Sequence, residues 1–379
     1  MDRKIKVLQV IGKLRIGGAE TVAMNLYRYI NRNKFEFHYL VYGNDIGDYE
    51  AEVVELGGKV IHMNYSSRHI KKYKNDLLKI MMEEGPYDII HTHMMFHNGI
   101  VLQIAKNAGI QIKVSHSHST NDGGIKNVIR YIYLKYMRKL ICDNADLLIG
   151  CGKDAGNFLY GKKVYAEKGI LIRNGINIEK YQFNEQIRDE MRKKYGVSDK
   201  IVYGCIGHFE PVKNHSFLIC VFEKLCKINE NARLLLLGDG KLRSEFENAC
   251  KKKHLEHNVF FTGNVNNVHE WLQMMDFLLM PSLYEGIPVT LIEAQASGIK
   301  CFVSDKVPRE VNVTGRITYI PLNIDKWIEL LNENIDYDRK VEVVKYLVDN
   351  GYDVRKSVAE LEEKYMEMLV NVNGEKIFR

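Results

Sequence analysis

Short apolar runs alternate with longer amphipathic stretches along most of the chain. Lys6-Val7-Leu8-Gln9-Val10-Ile11, Phe35 to Val41, Lys59 to Met63 and Asp88-Ile89-Ile90-His91 read as strands. Between them, Ala19 to Tyr29, Tyr49 to Leu56 and Tyr73 to Glu84 show helical spacing. Ile112-Lys113-Val114, Asp146 to Cys151 and Lys168 to Arg173 extend the strand series. Strand and helix in regular alternation, joined by short connections, predict a doubly wound parallel sheet. The rhythm restarts at Ile201 to Ile206 and continues through Ala232 to Leu237, Val259 to Thr262, Phe277 to Met280 and Lys300 to Ser304. A charged, helix-like stretch from Tyr181 to Lys200 bridges the two series. The tail is helix-rich, at Ile324 to Asn332, Lys340 to Asp349 and Val354 to Asn371. The fold class is therefore α/β, and 379 residues are enough for two domains, each with its own core.

Composition narrows the class. The charged and apolar fractions are those of an ordinary globular chain. No run of about 18 apolar residues appears, so no spanning helix is expected. The start, MDRKIKVLQVIGKLRIGG, lacks the long apolar region and cleavage site of a signal peptide, and a cytoplasmic location is expected. The seven cysteines form no C-x-x-C pair and read as reduced thiols rather than a disulfide frame or a zinc site. A net charge of +6 suits phosphate-bearing ligands or an anionic membrane surface, and no nucleic-acid motif is present.

Chemistry-bearing residues gather where strands end, the place at which open α/β sheets bind ligands. After the first strand come Gly12, Gly17 and Gly18 and then a helix, a phosphate-cradling order. It is not G-x-G-x-x-G, so a nicotinamide site is not supported; a tight turn that needs glycine is the plain alternative. His91, His93 and His97 follow another strand, with His93 expected to face a polar cleft wall. His91-x-His93 has metal-ligand spacing, but no acidic or cysteine partner stands near in sequence. SHSHS, residues 115 to 119, sits at the next strand end. Neutral imidazoles there accept or donate hydrogen bonds; a purely structural pair is the alternative. Ile125 to Leu140 carries Lys126, Arg130, Lys135, Arg138 and Lys139 beside Ile129, Ile132, Tyr133, Tyr136 and Met137. That is a basic amphipathic helix, suited to a membrane surface or to packing on the sheet with a basic outer side.

The stretch PSLYEGIPVTLIEAQASGIK, from Pro281 to Lys300, organises the second half. A strand leads into it, and Pro288 suits a first helical turn. Gly286 permits close approach to the backbone. Free N–H groups at the helix start attract anions. Glu285 and Glu293 flank that start and suit sugar hydroxyls. SLYEGIPVTLIEAQASG resembles the E-x7-E motif of the retaining glycosyltransferases of family 4, also called group 1, which have the GT-B fold. The resemblance runs from Ile5 to about Asp305, with motifs in the family's order.

The resemblance implies two Rossmann-like domains facing across a cleft, at 1–177 and 178–350, with a last helix in 351–379 crossing back to the first. It implies that Gly17 and Gly18 approach the diphosphate or the acceptor. It places a histidine near the anomeric carbon, which favours His118, with His116 close behind. Lys213 in GHFEPVKNHSFLI matches the lysine of G-R-x-x-x-x-K, which clamps the diphosphate, whereas His208 stands where that pattern has arginine. Gly286 and Ile287 join the donor-binding set. Glu285 would bind donor hydroxyls and ease cationic character at the ring, and Glu293 would grip the ribose.

The implied function is retaining transfer of a sugar from a nucleotide sugar, with a UDP-sugar expected. The acceptor would be a glycan or a polyprenyl-diphosphate-linked glycan in capsule or exopolysaccharide assembly. No Asp-x-Asp stands at an obvious strand end, so neither a metal nor another cofactor is expected. Two rivals stay open: a non-hydrolysing nucleotide-sugar 2-epimerase on the same fold, and a non-catalytic sugar-nucleotide-binding subunit of another transferase.

Overall fold

The computed structural model describes residues 3–64, 69–121, 124, 127–333, 338–339 and 342–377, with side chains through residue 372. The chain divides into two compact units, Met1–Gly175 with Val354–Arg379, and Ile176–Asp353. Each is built on one parallel sheet.

The first sheet contains β1 (Ile5–Val10), β2 (Phe35–Tyr42), β3 (Lys59–Met63), β4 (Ile89–Thr92), β5 (Ile112–Ser117), β6 (Leu147–Gly150) and β7 (Gly169–Leu171). Its order is β3-β2-β1-β4-β5-β6-β7, and every pairing is parallel. Successive strand residues point to opposite faces, and both faces are covered. Val7 and Ile89 enter one core with the helix Gly18–Tyr29 and the C-terminal helix, through Val358, Leu361 and Tyr365. Leu8 and Ile90 enter the other core, with the helices Ile70–Glu83, Asn98–Asn107 and Val128–Asn144. Continuous apolar runs in the sequence are the consequence.

The second sheet contains β8 (Ile201–Ile206), β9 (Ala232–Leu237), β10 (Val259–Gly263), β11 (Phe277–Met280), β12 (Lys300–Ser304) and β13 (Ile317–Ile320). Its order is β10-β9-β8-β11-β12-β13, again all parallel. Tyr203, Leu234, Phe277 and Phe302 pack on one face around Phe222 and Trp327. In both sheets the order reverses beside the first strand, between β1 and β4 and between β8 and β11. Such switch points open a crevice at the carboxyl ends of the strands.

Several elements differ from the sequence reading. β5 runs on to Ser117, so His116 lies inside the strand; Ser115, His116 and Ser117 are buried despite their polarity. The stretch expected as one bridging helix is two, Ile178–Tyr181 and Glu185–Lys194, and both belong to the second unit. Arg188 and Arg192 anchor the longer one to buried Asp276. Strand β13 and the helix Asn98–Asn107 were passed over, although Gly315 and Pro321 flank the one and Gly109 closes the other.

Candidate active site

At the switch point of the second sheet, the loops after β8 and β11 are laced together. The Leu283 amide donates to the Val212 carbonyl at 2.8 Å, and Asn214 Nδ2 donates to the Pro281 carbonyl at 3.2 Å. Asn214 adopts a left-handed conformation, φ 55°, which ends the short 3-10 turn Pro211–Lys213 and begins the helix His215–Ile228. Lys213 Nζ thereby meets Glu285 Oε1 at 2.7 Å. Both side chains are largely withdrawn from solvent, at 23% and 11% exposure. Opposite charges so placed interact more strongly than on an open surface.

The same edge continues to β9 and β10. Gly238 has φ +141°, and a Cβ there would stand 2.1 Å from the Gly207 carbonyl oxygen, so only glycine fits. His208 lies on this loop, partly exposed. Pro288 caps the helix Val289–Ala296 with no side-chain cap bond, so the first amides of that helix depend on other acceptors. Gly286 is half-buried and Ile287 buried, directly before this helix. Glu293 is buried within it and accepts from the Tyr181 hydroxyl at 2.7 Å. Burial raises its pKa, with the Tyr181 bond opposing the rise.

The first sheet's edge has another character. After β1, Gly17 has φ −164° and caps the helix Gly18–Tyr29. Neither Gly17 nor Gly18 has positive φ; a Cβ at Gly17 would stand 2.6 Å from Glu20 Oε2, so that side chain would have to move, whereas one at Gly18 or Gly12 would meet nothing within 4 Å. The loop leaves its backbone uncovered there.

Beside it, β4 and β5 bring four histidines together. Those of His91 and His93 stack with centroids 4.4 Å apart, and those of His116 and His118 lie 4.1 Å apart. His93 Nδ1 is 2.7 Å from His118 Nε2, and His91 Nε2 is 3.2 Å from His116 Nδ1. His93 Nε2 donates to Gln9 Oε1 at 2.9 Å, and His91 Nδ1 is 2.6 Å from the Tyr365 hydroxyl. Desolvation pushes His91 down to about 3 and His118 to about 4, and drives His93 and His116 well below the ordinary range. All four rings are neutral at pH 7.

This corrects two expectations. His93 is not a cleft wall: it is 5% exposed, with both nitrogens bonded, and His118 is the partly exposed member in front of it. His116 is buried in the strand. No acidic or cysteine partner joins His91 and His93; the third group beside them is His116, from across the sheet. Sequence reasoning also passed over Gln9, Tyr181 and Tyr365. A lone polar residue inside the apolar strand VLQVI was the available signal for Gln9; the tyrosines gave none.

The helix Val128–Asn144 was left open between a membrane surface and packing on the sheet, and the structure shows which side is covered. Its inner side is Met137, Leu140 and Ile141, while Val128, Ile129, Tyr131, Ile132 and Tyr136 are exposed. Arg138 turns inward to the Phe158 and Leu159 carbonyls, and Lys139 pairs with Asp143. The outer side is thus more apolar and less basic than its composition suggested. Ile125 and Lys126 lie outside the described residues. Among the described residues, no helix is long and apolar enough to cross a membrane.

Two reversing parallel sheets, with an ion pair at one switch point and imidazoles at the other, define an α/β transferase architecture of GT-B type. The chain belongs to the group 1 glycosyl transferases. The model of that family matches residues 187–352, and that of glycosyltransferase family 4 matches residues 16–180. EpsF of Bacillus subtilis (strain 168), assigned to the glycosyltransferases, is 35% identical over 98% of this chain and 97% of its own. The capsular polysaccharide biosynthesis glycosyltransferase CapH of Staphylococcus aureus is 25% identical, covering 96% and 99%. An Escherichia coli UDP-Gal:alpha-D-GlcNAc-diphosphoundecaprenol alpha-1,3-galactosyltransferase is 26% identical, covering 97% and 98%. Among solved structures, Anabaena HepE in complex with UDP and glucose superposes with a TM-score of 0.78 at 17% identity, covering 96% of this chain and all of that one. The protein is a glycosyltransferase.

Proposed function

We propose that this enzyme transfers a hexose from a UDP-sugar, with retention at the anomeric carbon, to a polyprenyl-diphosphate-linked glycan during polysaccharide assembly. The observation that carries the reading is the Lys213–Glu285 pair at the β8/β11 switch point. A departing diphosphate gathers negative charge, and preorganised donors stabilise it as it forms. Lys213, His208 and the amides at the start of the helix Val289–Ala296 are the donors of the second unit. A diphosphate would compete with Glu285 for Lys213 and free that carboxylate for sugar hydroxyls. Glu293, desolvated and held by Tyr181, is suited to the ribose. His118 and the Gly17–Gly18 backbone serve the sugar and the phosphates. No carboxylate is proposed as a nucleophile, so front-face displacement within an ion pair accounts for retention, without a resident metal.

The donor class is supported by the UDP in HepE and by the UDP-Gal in the Escherichia coli relative's name. The acceptor class is supported by that same name, and polysaccharide assembly by the name of CapH. The enzyme is proposed to work at the cytoplasmic leaflet, where Ile129, Ile132 and Tyr136 of the helix Val128–Asn144 would enter the lipid interface.

The test is a panel of nucleotide sugars, read by thermal stabilisation and by turnover with a lipid-linked acceptor. One UDP-sugar should raise the unfolding temperature, and the product should keep the donor's anomeric configuration by NMR. Turnover should survive chelation of divalent ions. Conversion of donor alone into its 2-epimer would mark the rival enzyme, and binding without turnover the partner subunit. Vesicles containing anionic phospholipid should bind the wild type and release Ile129→Asp/Ile132→Asp.

A further inference from the structure

The histidine cluster admits two readings, and ring orientation separates them. Nitrogens of His91, His93 and His116 lie within 4.8 Å of one another, close enough to suggest a cation. A metal, however, lies in the plane of each ligating imidazole, about 2.0–2.1 Å from nitrogen. His91 stacks on His93 at 26° and on His116 at 13°, with centroids 4.4 and 5.3 Å apart. Near-parallel planes so spaced do not converge on one ion. Both nitrogens of His91 and of His93 are also engaged in hydrogen bonds. The ring nitrogens are instead joined in hydrogen-bonded pairs, His91 with His116 and His93 with His118.

We propose that Gln9 is a positioning residue that, acting through His93, holds His118 with its proton on Nε2 and a lone pair on Nδ1. The inference rests on the reading that His118 meets the donor sugar. An amide oxygen only accepts, so His93 Nε2, 2.9 Å from Gln9 Oε1, carries a proton and donates it. A neutral His93 then has a lone pair on Nδ1. His118 Nε2, 2.7 Å away, must carry the proton of that bond. A neutral His118 is left with an unprotonated Nδ1. That atom is buried and has no hydrogen-bond partner among the described residues. Buried acceptors without partners are rare, and a ligand hydroxyl would satisfy this one.

The neutrality used at each step follows from burial of the rings. The lone pair makes His118 an acceptor toward a sugar hydroxyl, and it cannot donate from that atom. Gln9 lies in β1, opposite His91 in β4, so the arrangement is built into the sheet's register.

The test begins with the unaltered full chain, labelled with 15N-histidine, whose ring shifts report each tautomer directly. His118 should be protonated at Nε2 and unprotonated at Nδ1. A His118 protonated at Nδ1 would overturn the proposal without any variant having to fold. Gln9→Met keeps the volume and removes the acceptor. His118 should then become a mixture of tautomers, and kcat should fall about tenfold with KM nearly unchanged, as for loss of one oriented hydrogen bond. A His118 tautomer unaffected by Gln9→Met would likewise overturn it. Failure of the wider reading looks different: His118→Ala would leave turnover intact whatever the tautomer.

Discussion

The two sheet edges share one topology and almost nothing else. In each, the strand order reverses beside the first strand; the candidate groups of the second edge stand in loops, whereas His91 and His116 of the first lie within β4 and β5. The second edge keeps charge: Lys213 and Glu285 face each other in a partly dry setting. The first edge removes it: four imidazoles are packed until none is protonated at pH 7. Under the proposed function, the difference would give each edge a separate task. Stabilising a departing diphosphate needs fixed charge. Orienting neutral hydroxyls needs hydrogen bonds of defined direction, which a positive imidazolium beside the reacting sugar would spoil.

The comparison breaks most decisively at the charged edge. Lys213→Ala and Glu285→Ala should each lower kcat/KM by about 10²–10³, or roughly 2–4 kcal/mol of transition-state stabilisation. Steady-state kinetics with the nucleotide sugar that stabilises the protein checks this, and unchanged turnover in both would remove the charged edge from the chemistry. At the neutral edge, His118→Ala should cost about 10–10²-fold in kcat, because it removes hydrogen bonds rather than a counter-charge. A loss as large as that of Lys213→Ala would erase the distinction.

Acid separates the edges without mutation. His91 titrates folded at about 3, and His97, His118 and His215 at about 4, all lowered chiefly by burial. Unfolded histidine titrates near 6.5. Between these values the unfolded chain binds more protons, so stability rises with pH. The protein should hold its full stability above about pH 6.5 and lose it progressively toward pH 4 and below. Thermal unfolding across that window checks the sign; a flat profile would contradict the burial of the cluster. The smallest effect expected is at Glu293. Tyr181→Phe removes one bond to it and should raise KM for the donor by about fivefold, near 1 kcal/mol, with kcat little changed.

Much of the fold was legible in the chain because parallel strands covered on both faces are written as local apolar runs. β3, β8, β9, β11 and β12 begin and end where those runs do. The loop residues Glu285, Gly17 and Gly18 were legible because their loops follow such runs, and Lys213 through the resemblance of GHFEPVKNHSFLI to the family's pattern. The limit of β5 was less legible. Ser115, His116 and Ser117 look like loop residues, and only strands on either side make them strand. The outward face of the helix Val128–Asn144 stayed open for a related reason. Its apolar residues go round more than one side, and composition does not say which side the sheet takes.

By itself, then, the sequence determined the alternation of strands and helices, the division into two series, and which residue types stand at the strand ends. Those depend on spacing along one chain. Only the tertiary structure decided that His93 stands behind His118, that Gln9 sets its bond, that Tyr365 from the far end of the chain reaches His91, and that Lys213 is held by Glu285. These pairings join residues 25 to 274 positions apart. They follow from strand register and loop lacing, which no local pattern encodes.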